Sequence, residues 1–132
     1  MSVLDASALV DLVRRGPHAP WVAEWLDGAC TLHLADSEVV AALTGLVRGG
    51  AITRTRAAEA IAMVQDLPID RIPLQGLQGR TLELAESVAA YDAGYLALAE
   101  ALGEPLVTLD RRLARGAPPS IAVVTPQGRP AT

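Results

Sequence analysis

Four carboxylates stand where the neighbouring residues are apolar or small: Asp5 after Val3-Leu4, Glu38 beside Val39-Val40, Asp92 at the entry to an apolar helical run, and Asp110 after Leu109. Each has a bland explanation. Glu38 and Asp92 would open helices, where the dipole favours a negative charge, and Asp5 and Asp110 would cap the helix that follows a strand. Taken together they allow more. If the four converge in a partly dehydrated cleft, their mutual repulsion raises pKa values unless a cation sits among them. Oxygen-only ligands of this kind suit a hard divalent ion such as Mg²⁺ or Mn²⁺. A metal ion so held can activate water for phosphodiester hydrolysis with no histidine or lysine in the site.

The other chemical candidates are few. His18 lies in a turn after Pro17, His33 is expected in a strand, and neither has metal-ligand spacing with the carboxylates. Cys30 is the only cysteine, which excludes an internal disulfide and a multi-cysteine zinc site. All 11 basic residues are arginines. Phosphate-loop lysines, Schiff bases and Ser-Lys dyads are therefore excluded. The net charge of −4 has the wrong sign for holding nucleic acid by overall field, so a polyanion would need a local arginine patch, a bound cation, or both.

Positioning these groups requires a fold, and 132 residues, 51% of them hydrophobic, suffice for one domain. A single domain is expected over residues 1–125, followed by a frayed tail over 126–132. Strands are expected at 2–5, 31–34, 69–72, 105–110 and 121–124. Helical patterns occupy 7–15, 19–26, the Val39, Leu43, Leu46 and Val47 stripe, a segment from Thr53 to Met63, parts of 77–88, and 91–102. Asp36 or Ser37 is the expected cap of the third helix, and Arg111–Arg115 forms a single turn. Strands that read as continuous apolar runs and alternate with helices imply a three-layer α/β fold, with a central parallel sheet of four to five strands covered by helices on both faces. In such sheets ligands sit outside the carboxyl ends of the strands, where Asp5 and Asp110 fall. No run reaches the roughly 18 to 20 apolar residues of a membrane-spanning helix, and the first residues lack a basic signal-peptide region, so a cytoplasmic location without membrane attachment is expected.

Four segments in order carry a resemblance: Val3-Leu4-Asp5-Ala6-Ser7-Ala8-Leu9-Val10, Glu38-Val39-Val40-Ala41-Ala42-Leu43, Tyr91-Asp92-Ala93-Gly94-Tyr95-Leu96-Ala97-Leu98-Ala99-Glu100, and Pro105-Leu106-Val107-Thr108-Leu109-Asp110-Arg111-Arg112-Leu113-Ala114. This succession resembles PIN-domain ribonucleases, and more narrowly a VapC-type toxin, over nearly the whole chain, with weak similarity from 50 to 85. The resemblance implies a PIN-like fold and a Mg²⁺- or Mn²⁺-dependent endoribonuclease acting on RNA. It implies that Asp5, Asp92 and Asp110 are principal metal ligands, directly or through water, and that Glu38 orients or deprotonates the attacking water. Ser7 and Thr108 fit hydroxyl support of those carboxylates, against the simpler readings of a helix cap and a β-branched strand residue. Some relatives carry a further acidic residue shortly after the last motif Asp, where this chain has Arg111, Arg112 and Arg115, so the resemblance does not extend to that ligand of a second metal site. Arg111, Arg112 and Arg115 are candidates for RNA phosphate contacts, with plain solvation as the competing explanation. The family usually forms homodimers and is inhibited by a cognate antitoxin draped over the acidic pocket.

Other acidic α/β folds fit less well. A phosphorelay receiver uses a lysine this chain does not have, and a haloacid-dehalogenase-like phosphatase opens with Asp-x-Asp, where Asp5-Ala6-Ser7 has serine. The alternative from a different class is a PIN-like domain acting as a non-catalytic RNA- or protein-binding module. It does not by itself account for all four acidic positions being filled.

Overall fold

The structure is a computed structural model that describes residues 1–126; the expected tail beyond residue 126 lies outside the described residues. Five strands form the sheet: β1 (Val3–Leu4), β2 (Cys30–Leu32), β3 (Asp70–Ile72), β4 (Leu106–Val107) and β5 (Val123–Val124). Every pairing is parallel and the order is β3-β2-β1-β4-β5. Seven helices join them among the described residues: α1 (Ala6–Val13), α2 (Ala19–Ala23), α3 (Leu34–Arg48), α4 (Arg54–Asp66), α5 (Gln78–Leu84), α6 (Ala90–Leu102) and α7 (Arg111–Gly116).

Handedness decides the layering. From β1 to β3 the chain steps in one direction along the sheet, so right-handed crossovers put α1 to α4 on one face. After β3 it returns past β1 to β4 and then β5, and the same rule puts α5, α6 and α7 on the other face. Packing agrees, with α1 against α2, α3 and α4, and α5 against α6. The direction of winding reverses between β1 and β4, which are hydrogen-bonded neighbours. A crevice opens at the carboxyl end of such a switch point, since the two following helices leave to opposite faces. Asp5 follows β1 and Asp110 follows β4, so sequence and topology bring the same two residues there.

The core explains why the central strands are apolar on both sides. Val3, Leu4, Cys30, Leu32, Leu106 and Val107 are all buried, packed beneath Leu9, Val13, Val39 and Leu43 on one face and Leu96 and Leu98 on the other. Cys30 is a buried member of this cluster, behaving as a small hydrophobe. Helix α6 is buried from Ala93 through Ala99, and Gly94 lets it lie close to the sheet: a Cβ there would stand 3.2 Å from Leu32 Cδ1.

Several boundaries differ from the pattern in the sequence. Residue 33 is not in a strand: β2 ends at Leu32, and His33 occupies the position before α3, its N–H donating to the Ile72 carbonyl. Asp36 and Ser37 are consequently inside the first turn of α3 rather than its cap, and no side chain caps that helix. The last register pair with β3 is Leu32 with Ile72, and His33, although its N–H still reaches β3, has already turned to a helical backbone at φ −52° and ψ −34°. The second helical stretch stops at Ala23 instead of 26, although Trp21 and Trp25 still pack edge to face with ring centres 6.2 Å apart. Thr53 caps α4 as its sequence suggests, accepting the Arg56 N–H at 3.0 Å, and Gly103 ends α6 in the left-handed conformation.

Candidate active site

Asp5 is the N-cap of α1, and its carboxylate is the most enclosed of the four, 4% exposed. Oδ1 accepts the Ala8 N–H at 3.0 Å and the Ser7 hydroxyl at 2.6 Å, while Oδ2 accepts the Thr108 hydroxyl. The two hydroxyls then serve the neighbouring turn: Ser7 Oγ accepts the Leu109 N–H at 3.0 Å and Thr108 Oγ1 accepts the Asp110 N–H at 3.0 Å. These bonds lock the β1–α1 turn to the β4–α7 turn across more than a hundred residues of sequence. Asp110 in turn caps α7, its Oδ1 accepting from Arg112 N at 2.8 Å and Leu113 N at 3.4 Å. The capping explanation for Asp5 and Asp110 is therefore correct as geometry. It does not compete with a site, since both caps stand at the switch point, where the crevice opens.

Asp92 and Glu38 arrive from opposite helical layers. Asp92 is in the first turn of α6 and Glu38 in the second turn of α3. Glu38 Oε1 accepts the Tyr95 hydroxyl at 2.6 Å. Asp92 is half-buried, accepts no hydrogen bond from a side chain and forms no ion pair among the described residues.

Electrostatics link the four through Asp92, whose charge is felt by Asp5 and which feels the charges of Asp110 and Glu38. Burial pushes Asp5 up to about 6, against the lowering effect of its hydrogen bonds to Ser7, Thr108 and Ala8, and the charge of Asp92 adds to the rise. Asp92 is raised as well, first by burial and then by the charges of Asp110 and Glu38. None of the four is paired with a cationic side chain among the described residues. Like charges at this density repel, and among the described residues no three acidic side chains close into a ready ligand cage. The donor set is nonetheless all oxygen, negative and partly dry, which suits a hard divalent ion carrying some of its own water.

The remaining candidates fall into place differently. Arg111, Arg112 and Arg115 are exposed on α7 next to Asp110, and none forms an ion pair among the described residues. His18 is exposed before α2 and donates its backbone N–H to Asp11. The His33 ring bonds to the Arg71 carbonyl at 3.0 Å. Sequence reasoning passed over Tyr95, which is 1% exposed. Its signal was a hydroxyl within an otherwise small or aliphatic buried helix, three residues after Asp92.

The PIN domain family profile matches residues 2–117. Among curated proteins, Ribonuclease VapC12 of Mycobacterium tuberculosis is 37% identical over 118 residues, covering 87% of this chain and 91% of that protein. Ribonuclease VapC9 of the same species is 37% identical over 114 residues, covering 86% and 88%. Among solved structures, PAE2754 from Pyrobaculum aerophilum superposes with a TM-score of 0.68 at 27% identity, covering 92% of this chain and 89% of that one. A toxin–antitoxin complex from Klebsiella pneumoniae gives a TM-score of 0.66 at 23% identity, with 96% and 98% covered, and so shares the fold. The parallel order, the acidic switch point and these likenesses agree, and the chain belongs to the PIN domain family, in its VapC group.

Proposed function

We propose that this chain is a ribonuclease toxin that hydrolyses RNA phosphodiester bonds at the acidic crevice and is restrained by an antitoxin protein. The observation that carries the reading is Asp92: a half-buried carboxylate, raised by burial and by Asp110 and Glu38, with neither a side-chain hydrogen bond nor a counter-ion among the described residues. Structural carboxylates are satisfied; an unpartnered one beside three others is suited to a cationic ligand. The relatives named ribonucleases, and fold neighbours described as toxin–antitoxin complexes, support the substrate and the partner.

Asp5, Asp92 and Asp110 would be the principal holders of a Mg²⁺ or Mn²⁺ ion, directly or through water, with Glu38 completing the acidic set around it. When bound, such an ion supplies charge to the scissile phosphate and lowers the pKa of a water molecule. Glu38, with one oxygen engaged by Tyr95, has the other to take a proton from the attacking water. Ser7 and Thr108 hold Asp5 at both oxygens and so fix its direction. Arg111, Arg112 and Arg115 hold RNA phosphates at the rim, offsetting a net charge of −4 that otherwise repels the substrate. A homodimer is the expected assembly, and a basic side chain from the antitoxin would neutralise the same carboxylates.

The test is induced expression of the chain without a partner, wild type beside Asp92→Asn, with growth followed and total RNA mapped for new ends. Growth arrest with discrete new ends in the wild type alone is the expected result. A fully active Asp92→Asn chain overturns the site assignment. Harmless, soluble expression of both, with purified wild type inert on RNA in Mg²⁺ and in Mn²⁺, leaves a non-catalytic binding module instead.

A further inference from the structure

Tyr95 is buried where a hydroxyl has no packing reason to be. The neighbouring positions of α6, Ala93, Gly94, Leu96, Ala97, Leu98 and Ala99, are buried all round the helix, and phenylalanine would fill nearly the same volume without taking a hydroxyl out of water. The hydroxyl has one partner, Glu38 Oε1 at 2.6 Å, a short bond of the charge-assisted kind. That bond crosses from the helical layer containing α6 to the layer containing α3, at the carboxyl edge of the sheet.

The arrangement addresses a specific difficulty. Glu38 has a long side chain, and the charge of Asp92 repels it from the crevice. Unanchored, its carboxylate would swing toward solvent, where its charge is best hydrated. Asp92 and Tyr95 are three residues apart on one helix, so they project from nearly the same side of α6, one turn apart. A single rigid turn thus sets both the position of Asp92 and the point to which Glu38 is tied.

Resting on the ribonuclease reading above, we propose that Tyr95 is a positioning residue: its phenol fixes one oxygen of Glu38 so that the other stays directed at the acidic cluster. The hydroxyl touches neither substrate nor metal and acts only through Glu38. Its loss should leave RNA binding unaltered while reducing turnover.

The experiment compares wild type, Tyr95→Phe, Glu38→Gln and the double variant for RNA cleavage, and titrates each with Mn²⁺ followed by electron paramagnetic resonance. Tyr95→Phe is expected to keep its fold, lower kcat by about 10- to 100-fold with KM for RNA unchanged, and weaken Mn²⁺ binding. In the Glu38→Gln background the same change should have no further effect on kcat, because the hydroxyl acts only through that carboxylate. If Tyr95→Phe matches wild type in kcat and in Mn²⁺ binding while Asp92→Asn is inactive, the positioning role is overturned and the ribonuclease reading stands. A wild-type chain that neither cleaves RNA nor binds Mn²⁺ overturns both. Equal losses from Tyr95→Phe in both backgrounds also overturn it, by showing a general packing effect. A second measurement requires no change at residue 95: the Tyr95 hydroxyl proton should exchange slowly with water by NMR and become fast in Glu38→Ala. Fast exchange in the wild type overturns the anchor.

Discussion

At the scale of single residues, the candidate site is a set of carboxylates in different states of satisfaction among the described residues. Asp5 has both oxygens engaged, Asp110 has one oxygen in a cap, Glu38 has one oxygen on a phenol, and Asp92 has none. Asp92→Asn removes a repelled charge without removing packing. In metal-free buffer it should melt at or above the wild-type temperature, whereas with Mg²⁺ present it should cleave RNA more than about 100-fold more slowly, a reduction on the scale of one electrostatic contact to a transition state. Mg²⁺ should raise the melting temperature of the wild type and leave the variant nearly unmoved. Asp5 gives a pH signature. Its folded carboxyl titrates at about 6 against an ordinary 3.8, so between those values the folded chain binds more protons than the unfolded one. Stability in chelator must therefore fall as pH rises through that window and level off above it. Urea titrations of wild type and Asp5→Asn across the window check this, with a shallower fall expected in the variant.

At the scale of elements, short segments place these groups through their ends. β1 and β4 are each two residues long, and each leads within three residues to an aspartate that caps the next helix. The hydroxyls of Ser7 and Thr108 join the two turns into one unit. Helix α7 is seated against the loop after α5 at Gly116, where a Cβ would stand 2.8 Å from the Ser87 carbonyl oxygen and 2.7 Å from Val88 Cγ1. Backbone on one side leaves no way to yield cheaply. Gly116→Ala should destabilise the chain by about 1–3 kcal/mol, measured by urea unfolding.

For the whole molecule, charge has to be reconciled with substrate. An acidic chain binding a polyanion needs arginines free of ion pairs at the right edge, and among the described residues α7 carries three of them beside Asp110. Replacing Arg111 and Arg112 together by glutamate should raise KM for RNA with kcat little changed. The dependence of binding on salt should flatten by roughly 0.7 in log–log slope for each RNA phosphate that the protein no longer neutralises. An unchanged slope would show that these arginines are only solvated. Among the described residues no helix is long and apolar enough to cross a membrane.

The sequence by itself determined the class of fold and singled out the four carboxylates as candidates. Continuous apolar runs ending in Asp5 and Asp110 are visible one segment at a time, because parallel strands buried on both faces and their helix caps are local patterns. The left-handed Gly103 and the capping Thr53 were legible for the same reason. That β2 ends at Leu32 and His33 turns into a helix start, while its N–H and its ring both bond the β3 backbone nearly forty residues away, is not encoded in a local pattern. Ser7 and Thr108 could be named from sequence as hydroxyl support for the carboxylates, but tertiary structure decided that both serve Asp5, one on each oxygen, and that Tyr95 reaches Glu38 from the opposite layer. Those bonds depend on the reversal of winding between β1 and β4, a property of strand order that exists only once the sheet is assembled.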